Sequence, residues 1–134
     1  DTTMIPLHRF AKHNDNLLTE LLNSDEIEKV VKSTMVGGAT LTKLLGTSAW
    51  YAPGSSIAYL VDSIINDHKN IIPCSVYLEG EYDQSDICIG VPCVIGKNGL
   101  EKVIQLDLND DELTKFNESA DAVRSMNSTL VDHT

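Results

Sequence analysis

GGATLTKLLGTSAWYAPGSS, residues 37–56, joins two helical patterns through a run of small residues, and the fold of the chain turns on it. Upstream, Ile27, Val30, Val31, Thr34 and Met35 recur at helical spacing, followed by Leu41, Leu44 and Leu45. Downstream, Ile57, Leu60, Val61, Ile64 and Ile65 repeat the period. Pro53 lacks an amide proton, so it belongs at a kink or in the first turn of the second helix. Gly37 and Gly38 sit inside the first pattern, where each glycine costs roughly 1 kcal/mol relative to alanine. They predict a kink or the close approach of another backbone. The small residues around Trp50 and Tyr51 invite close approach too, either by a packed helix or by a ligand whose site this segment walls.

Towards the start, TTMIPLHRFAK (residues 2–12) reads as an extended segment, with Asn14 and Asp15 as the turn after it. Thr19 is expected to cap a short helix through Leu22. Ser24, Asp25 and Glu26 open the longer one, their acids placed where a helix N-terminus favours negative charge. With Ile27 three residues after Ser24, no capping box is expected there.

Past Asn70 the period changes. Ile71–Leu78 and Ile87–Ile95 read as strands, and Lys97-Asn98-Gly99 marks a hairpin turn into a third strand, Glu101–Leu108. Asn109 is a helix cap followed by three acids, and Leu113, Phe116, Ala120 and Val123 form the apolar stripe of a last helix. The expected class is α+β, an antiparallel sheet packed with long helices, in one domain spanning residues 1–134.

Composition excludes several functions. The 134 residues are 42% hydrophobic, enough for one ordinary core. Ten basic against 20 acidic residues give a formal charge of −10, which repels nucleic-acid phosphates and anionic membrane surfaces. No apolar run reaches the ~20 residues needed to span a bilayer. Cys74, Cys88 and Cys93, an odd count without CxxC spacing, argue against a disulfide framework or a zinc site. Their apolar surroundings predict three buried core thiols, a reactive or metal-bound thiol being the alternative. A reducing, cytoplasmic compartment follows from free thiols.

Nor does the chain carry a self-contained catalytic set. His8, His13, His68 and His133 are scattered, with no HExxH spacing. His68 is expected near a helix end, where a cation is favourable. The dinucleotide fingerprint G-x-G-x-x-G and the phosphate loop are both missing. Gly54-Ser55-Ser56 is not a hydrolase elbow, and Asn109–Glu112 lacks the glycine of a calcium loop. The basic residues include only two arginines, Arg9 and Arg124, neither in a glycine-rich or enclosed context.

Taken together, residues 37–56, IIPCSVYLEGEY (71–82) and ICIGVPCVIGKNGLEKVIQLDLNDDE (87–112) resemble the lactate/malate dehydrogenase superfamily in order and spacing. The likeness is strongest to the lactate-dehydrogenase-like malate dehydrogenases of bacteria. It implies an NAD-dependent interconversion of malate and oxaloacetate in an intact parent, with this chain as the C-terminal, substrate-side domain. The opening DTTMIPL is similar to the segment that ends the family's G-G-H-[GS]-D motif and continues beyond it. Asp1 would be that motif's aspartate, and the catalytic histidine would lie two residues earlier. The resemblance thus implies that no catalytic residue is in the chain, that the NAD-binding Rossmann domain lies outside it, and that the chain alone is inactive.

The family likeness assigns Ser48, Ala49 and Pro53 to the border of the substrate and nicotinamide. Ser48 would offer a hydroxyl, and Ala49 and Pro53 shape. The partners implied are the chain's own NAD-binding domain, sister subunits in a dimer or tetramer, and a small dicarboxylate of the tricarboxylic acid cycle. Exposed apolar faces are therefore expected where those partners dock. Two other readings stay open: a lactate dehydrogenase fragment, and a non-catalytic binding or scaffold module that kept the fold.

Overall fold

Asn23 and Asn109 open their helices in the same way. Each sits in extended conformation and accepts the amide proton of the residue three places on, at 3.0 Å from Glu26 and 2.9 Å from Glu112. Each glutamate carboxylate in turn takes its asparagine's own N–H. Two otherwise unpaired donors are thus satisfied at each helix start. The cap expected at Asn109 is present. At the earlier helix the cap is Asn23, one residue before the expected Ser24, because the partner acid three places on is Glu26.

The computed structural model describes residues 4–130. It divides into two compact units, Asp1–Ala49 and Trp50–Thr134. In the first, a 3-10 turn at His8–Phe10 precedes a two-residue hairpin of β1 (Lys12–His13) and β2 (Asn16–Leu17). Asn14 and Asp15 turn it at φ 47° and 70°, a conformation these two residue types tolerate better than most. The expected extended opening is therefore part 3-10. A short α1 (Leu18–Leu21) comes next, and Thr19 lies inside it instead of capping it.

The long α2 runs Ser24–Leu45 and ends on Gly46 at φ 69°, the left-handed closure that glycine makes at least cost. Gly37 and Gly38 neither interrupt it nor mark a close approach: a Cβ at either would meet no atom within 4 Å. Twenty-two residues of continuous hydrogen bonding absorb their poor propensity, so the expected kink is absent.

The second unit is built on three antiparallel strands in the order β3-β4-β5: β3 (Asn70–Glu79), β4 (Ser85–Gly96) and β5 (Gly99–Val103). Alternate residues separate the two faces. Ile87, Ile89, Val91, Cys93 and Ile95 are buried, as is Leu78, which pairs with Ile87. On the opposite face, Tyr77 pairs with Cys88 and both are exposed. The expectation of three buried thiols therefore holds only at Cys93: Cys74 is half-buried, and Cys88 is exposed because its register position faces outward. α3 (Tyr51–Ile65) and α4 (Asp110–Ser128) both pack on β4. Phe116 and Ala120 form the buried part of the α4 stripe, and Leu113 is exposed at its edge.

The third strand is shorter than expected. Ile104 N still reaches Pro92 O at 2.8 Å, but the chain then turns to Tyr82. The Tyr82 hydroxyl donates to Ile104 O at 2.6 Å and accepts from Leu106 N at 2.9 Å, while its own N–H donates to the Gln105 side chain at 3.0 Å. One tyrosine thus satisfies backbone groups that a strand partner would otherwise take. Its ring lies 5.1 Å from that of Phe116, tilted by 40°.

Candidate functional site

Residues 46–56 form a linker and a helix start. Past Gly46 the chain is irregular until Trp50, which precedes α3. Ser48 is exposed and Ala49 half-buried, neighbours at the end of the first unit. Pro53 falls in the first turn of α3, where no intrahelical N–H is required of it; Gly54 N supplies the first bond, 2.8 Å to Trp50 O. The helix-start alternative for Pro53 is the one realised.

α3 carries one charged residue, Asp62, and its apolar side chains extend around it. Ser63 is its single buried residue, donating to Ile95 O at 3.0 Å. Tyr51, Ile57, Tyr59, Val61 and Ile65 are exposed, Tyr51 to 87% and Ile65 to 74%. A helix apolar on more than one side is shaped to be covered on more than one side. In the first unit, α2 likewise exposes Val36, Leu41, Leu44 and Leu45. The sequence signal was present in the near-absence of charge from Tyr51 to Ile65, although periodicity alone did not say which residues would stay uncovered.

The remaining polar groups serve the fold. His68 Nε2 lies 3.1 Å from Asp62 Oδ2, just past the end of α3 where the histidine was expected. Arg124 donates to Gln84 Oε1 at 2.9 Å and to Ser85 O at 3.0 Å, and Gln84 donates onward to Asn117 at 2.9 Å. Arg9 lies over the Phe10 ring, 4.7 Å from its centroid. Burial raises the Tyr82 hydroxyl above its ordinary value, and the Cys93 thiol likewise. Among the described residues no group of three or more histidine, cysteine or acidic side chains could hold a metal, and no helix is long and apolar enough to cross a membrane. Asp1 and His133 lie outside the described residues.

Residues 1–132 match the family described as lactate/malate dehydrogenase, alpha/beta C-terminal domain. The chain belongs to this family. Its sequence is 63% identical to the malate dehydrogenase of Flavobacterium johnsoniae over 130 residues, 97% of this chain and 42% of that protein. It is 60% identical to the malate dehydrogenase of Bacteroides thetaiotaomicron over the same shares. The fold superposes on malate dehydrogenase from Salinibacter ruber with a TM-score of 0.92 at 39% identity, covering 97% of this chain and 43% of that one. The chain therefore spans less than half the length of the relatives it matches, and the α+β class with its small antiparallel sheet is that of the family's C-terminal domain.

Proposed function

We propose that this chain is the substrate-side domain of an NAD-dependent malate dehydrogenase, interconverting malate and oxaloacetate in the intact protein and inactive alone. The observation that carries the reading is the family match over residues 1–132 together with a chain that spans 42% of a malate dehydrogenase relative. The dehydrogenase chemistry calls for a proton donor and a pair of anion-clamping cations. We assign both to the rest of the parent.

The residues present do not make a holding site for NAD. The chain has no glycine-rich turn for a pyrophosphate, and at the border Ser48 offers an exposed hydroxyl beside the small side chain of Ala49. NAD bound to the parent supplies the hydride acceptor. The part assigned to this chain is narrower: Ser48 orients the substrate or its water, Ala49 leaves the space the substrate occupies, and Pro53 fixes the start of α3.

The partners follow from the uncovered helices. The apolar surfaces of α2 and α3 are assigned to the chain's own NAD-binding domain and to a sister subunit in a dimer or tetramer. The free cysteines suit a reducing, cytoplasmic setting within the tricarboxylic acid cycle. A lactate dehydrogenase parent is the second reading, favoured by the likeness to lactate dehydrogenase from Eimeria maxima, solved with NADH and oxamate, at TM-score 0.91 and 34% identity. Steady-state assays of the intact protein decide between them. NADH oxidation is expected with oxaloacetate and little with pyruvate, and none with this chain alone. Preference for pyruvate would move the parent to the lactate enzymes, and turnover by the chain alone would overturn the division of labour.

A further inference from the structure

The two inward cysteines lie on neighbouring strands, two residues out of register. Cys74 of β3 pairs with Val91 of β4, and Cys93 pairs with Ile72. The offset of two keeps both thiols on one face of the sheet. Cys93 is fully buried and Cys74 half-buried, while Cys88 points to the other face. The Cys93 side chain also leans in a defined direction. Its Sγ donates to Val91 O at 3.2 Å, and Val91 is the residue directly opposite Cys74. The sulfur is therefore tilted back along β4 towards its diagonal neighbour. We propose that Cys74 and Cys93 form a same-face dithiol that takes one soft, thiophilic centre of the monosubstituted trivalent arsenical class.

Strand geometry favours a bridging atom over a direct bond. Diagonal same-face positions on antiparallel strands lie about 7–8 Å apart at Cα. A disulfide needs roughly 4.4–6.8 Å, so direct oxidation requires the two backbones to shift. An arsenic atom placed between the sulfurs lengthens the span and removes that demand. The chemistry is an exchange without oxidation: two S–H bonds and the As=O bond break, two As–S bonds form, and both protons leave with the oxygen as one water. Sulfur is also the donor that soft centres select. Burial raises the Cys93 thiol first and the neighbouring Cys74 charge adds to it, so Cys93 enters the exchange as a neutral thiol.

The test treats the folded chain with phenylarsine oxide and reads it by intact mass and by alkylation of the remaining thiols after the treated chain is unfolded. The expected result is one arsenical per chain, with Cys88 alkylated and Cys74 and Cys93 protected. Cys88→Ser should retain the adduct and Cys74→Ser should lose it. Alkylation mapping of the wild type identifies the protected pair without any substitution, so a poorly folding variant does not block the test. No adduct on the folded chain, an adduct that survives Cys74→Ser, or protection of Cys88 would each overturn the proposal. None of these outcomes bears on the dehydrogenase reading, because the site uses no residue assigned to the substrate border.

Discussion

Ser63, the one fully buried residue of α3, donates its hydroxyl to the carbonyl of Ile95 in β4 at 3.0 Å, across 32 residues of sequence. This bond ties the one buried side chain of α3 to the sheet. Removing the donor leaves a buried acceptor short of its partner, a loss of about 1–3 kcal/mol. Ser63→Ala is expected to lower the stability of the chain by that amount in a denaturant melt. An unchanged midpoint would mean that packing alone orients α3.

Tyr82 carries an expected pH dependence. Its hydroxyl bonds both Ile104 and Leu106, and Tyr82→Phe should cost about 1–3 kcal/mol at neutral pH. Burial raises its folded-state pKa above the ordinary tyrosine value. A raised acid of this kind contributes stability that is fully present below the unfolded value and is lost as pH rises through the folded one. Alkaline titration of the wild type should therefore lose stability above about pH 10, where an unfolded tyrosine titrates. The Phe variant should lose less over that range, as followed by circular dichroism.

Gly37 and Gly38 lie in a regular helix with open space where a Cβ would go. Substituting either with alanine should stabilise the chain by roughly 0.5–1 kcal/mol, since alanine gives up less backbone freedom on folding. Thermal melts of the chain by itself measure this. A decrease would reveal a close approach to these glycines after all.

Ile57 is exposed to 61% on α3. Ile57→Lys keeps a good helix former, so the chain alone should change by no more than about 0.5 kcal/mol. In the intact parent the same lysine would be buried without a partner where α3 is covered, and an uncompensated buried charge is strongly destabilising. Size-exclusion and melting of both forms should then diverge. If the intact protein tolerates the lysine as well as the chain does, this face of α3 is not a docking surface.

At Ala49 the prediction concerns catalysis. Ala49→Leu in the intact protein should reduce kcat/KM for oxaloacetate by about tenfold or more, because small displacements of a bound substrate carry large rate penalties. Unchanged kinetics would remove Ala49 from the substrate border.

The sequence by itself determined the parts that local chemistry controls. Helical and strand periods located all the long elements, Asn109 announced its cap, and Gly99 closed its hairpin at φ 82°. The order of motifs was sufficient to name the family. Tertiary structure decided what depends on a partner far along the chain. Cys88 faces outward because of its register with Tyr77. β5 stops early because Tyr82, about twenty residues upstream, takes its backbone bonds. Residues 37–56 divide the same way: their helices were legible, while the intact α2 through Gly37-Gly38 and the uncovered faces of α3 were not. A glycine's cost and a side chain's exposure are set by what lies across from them, and that is decided only when the chain has folded.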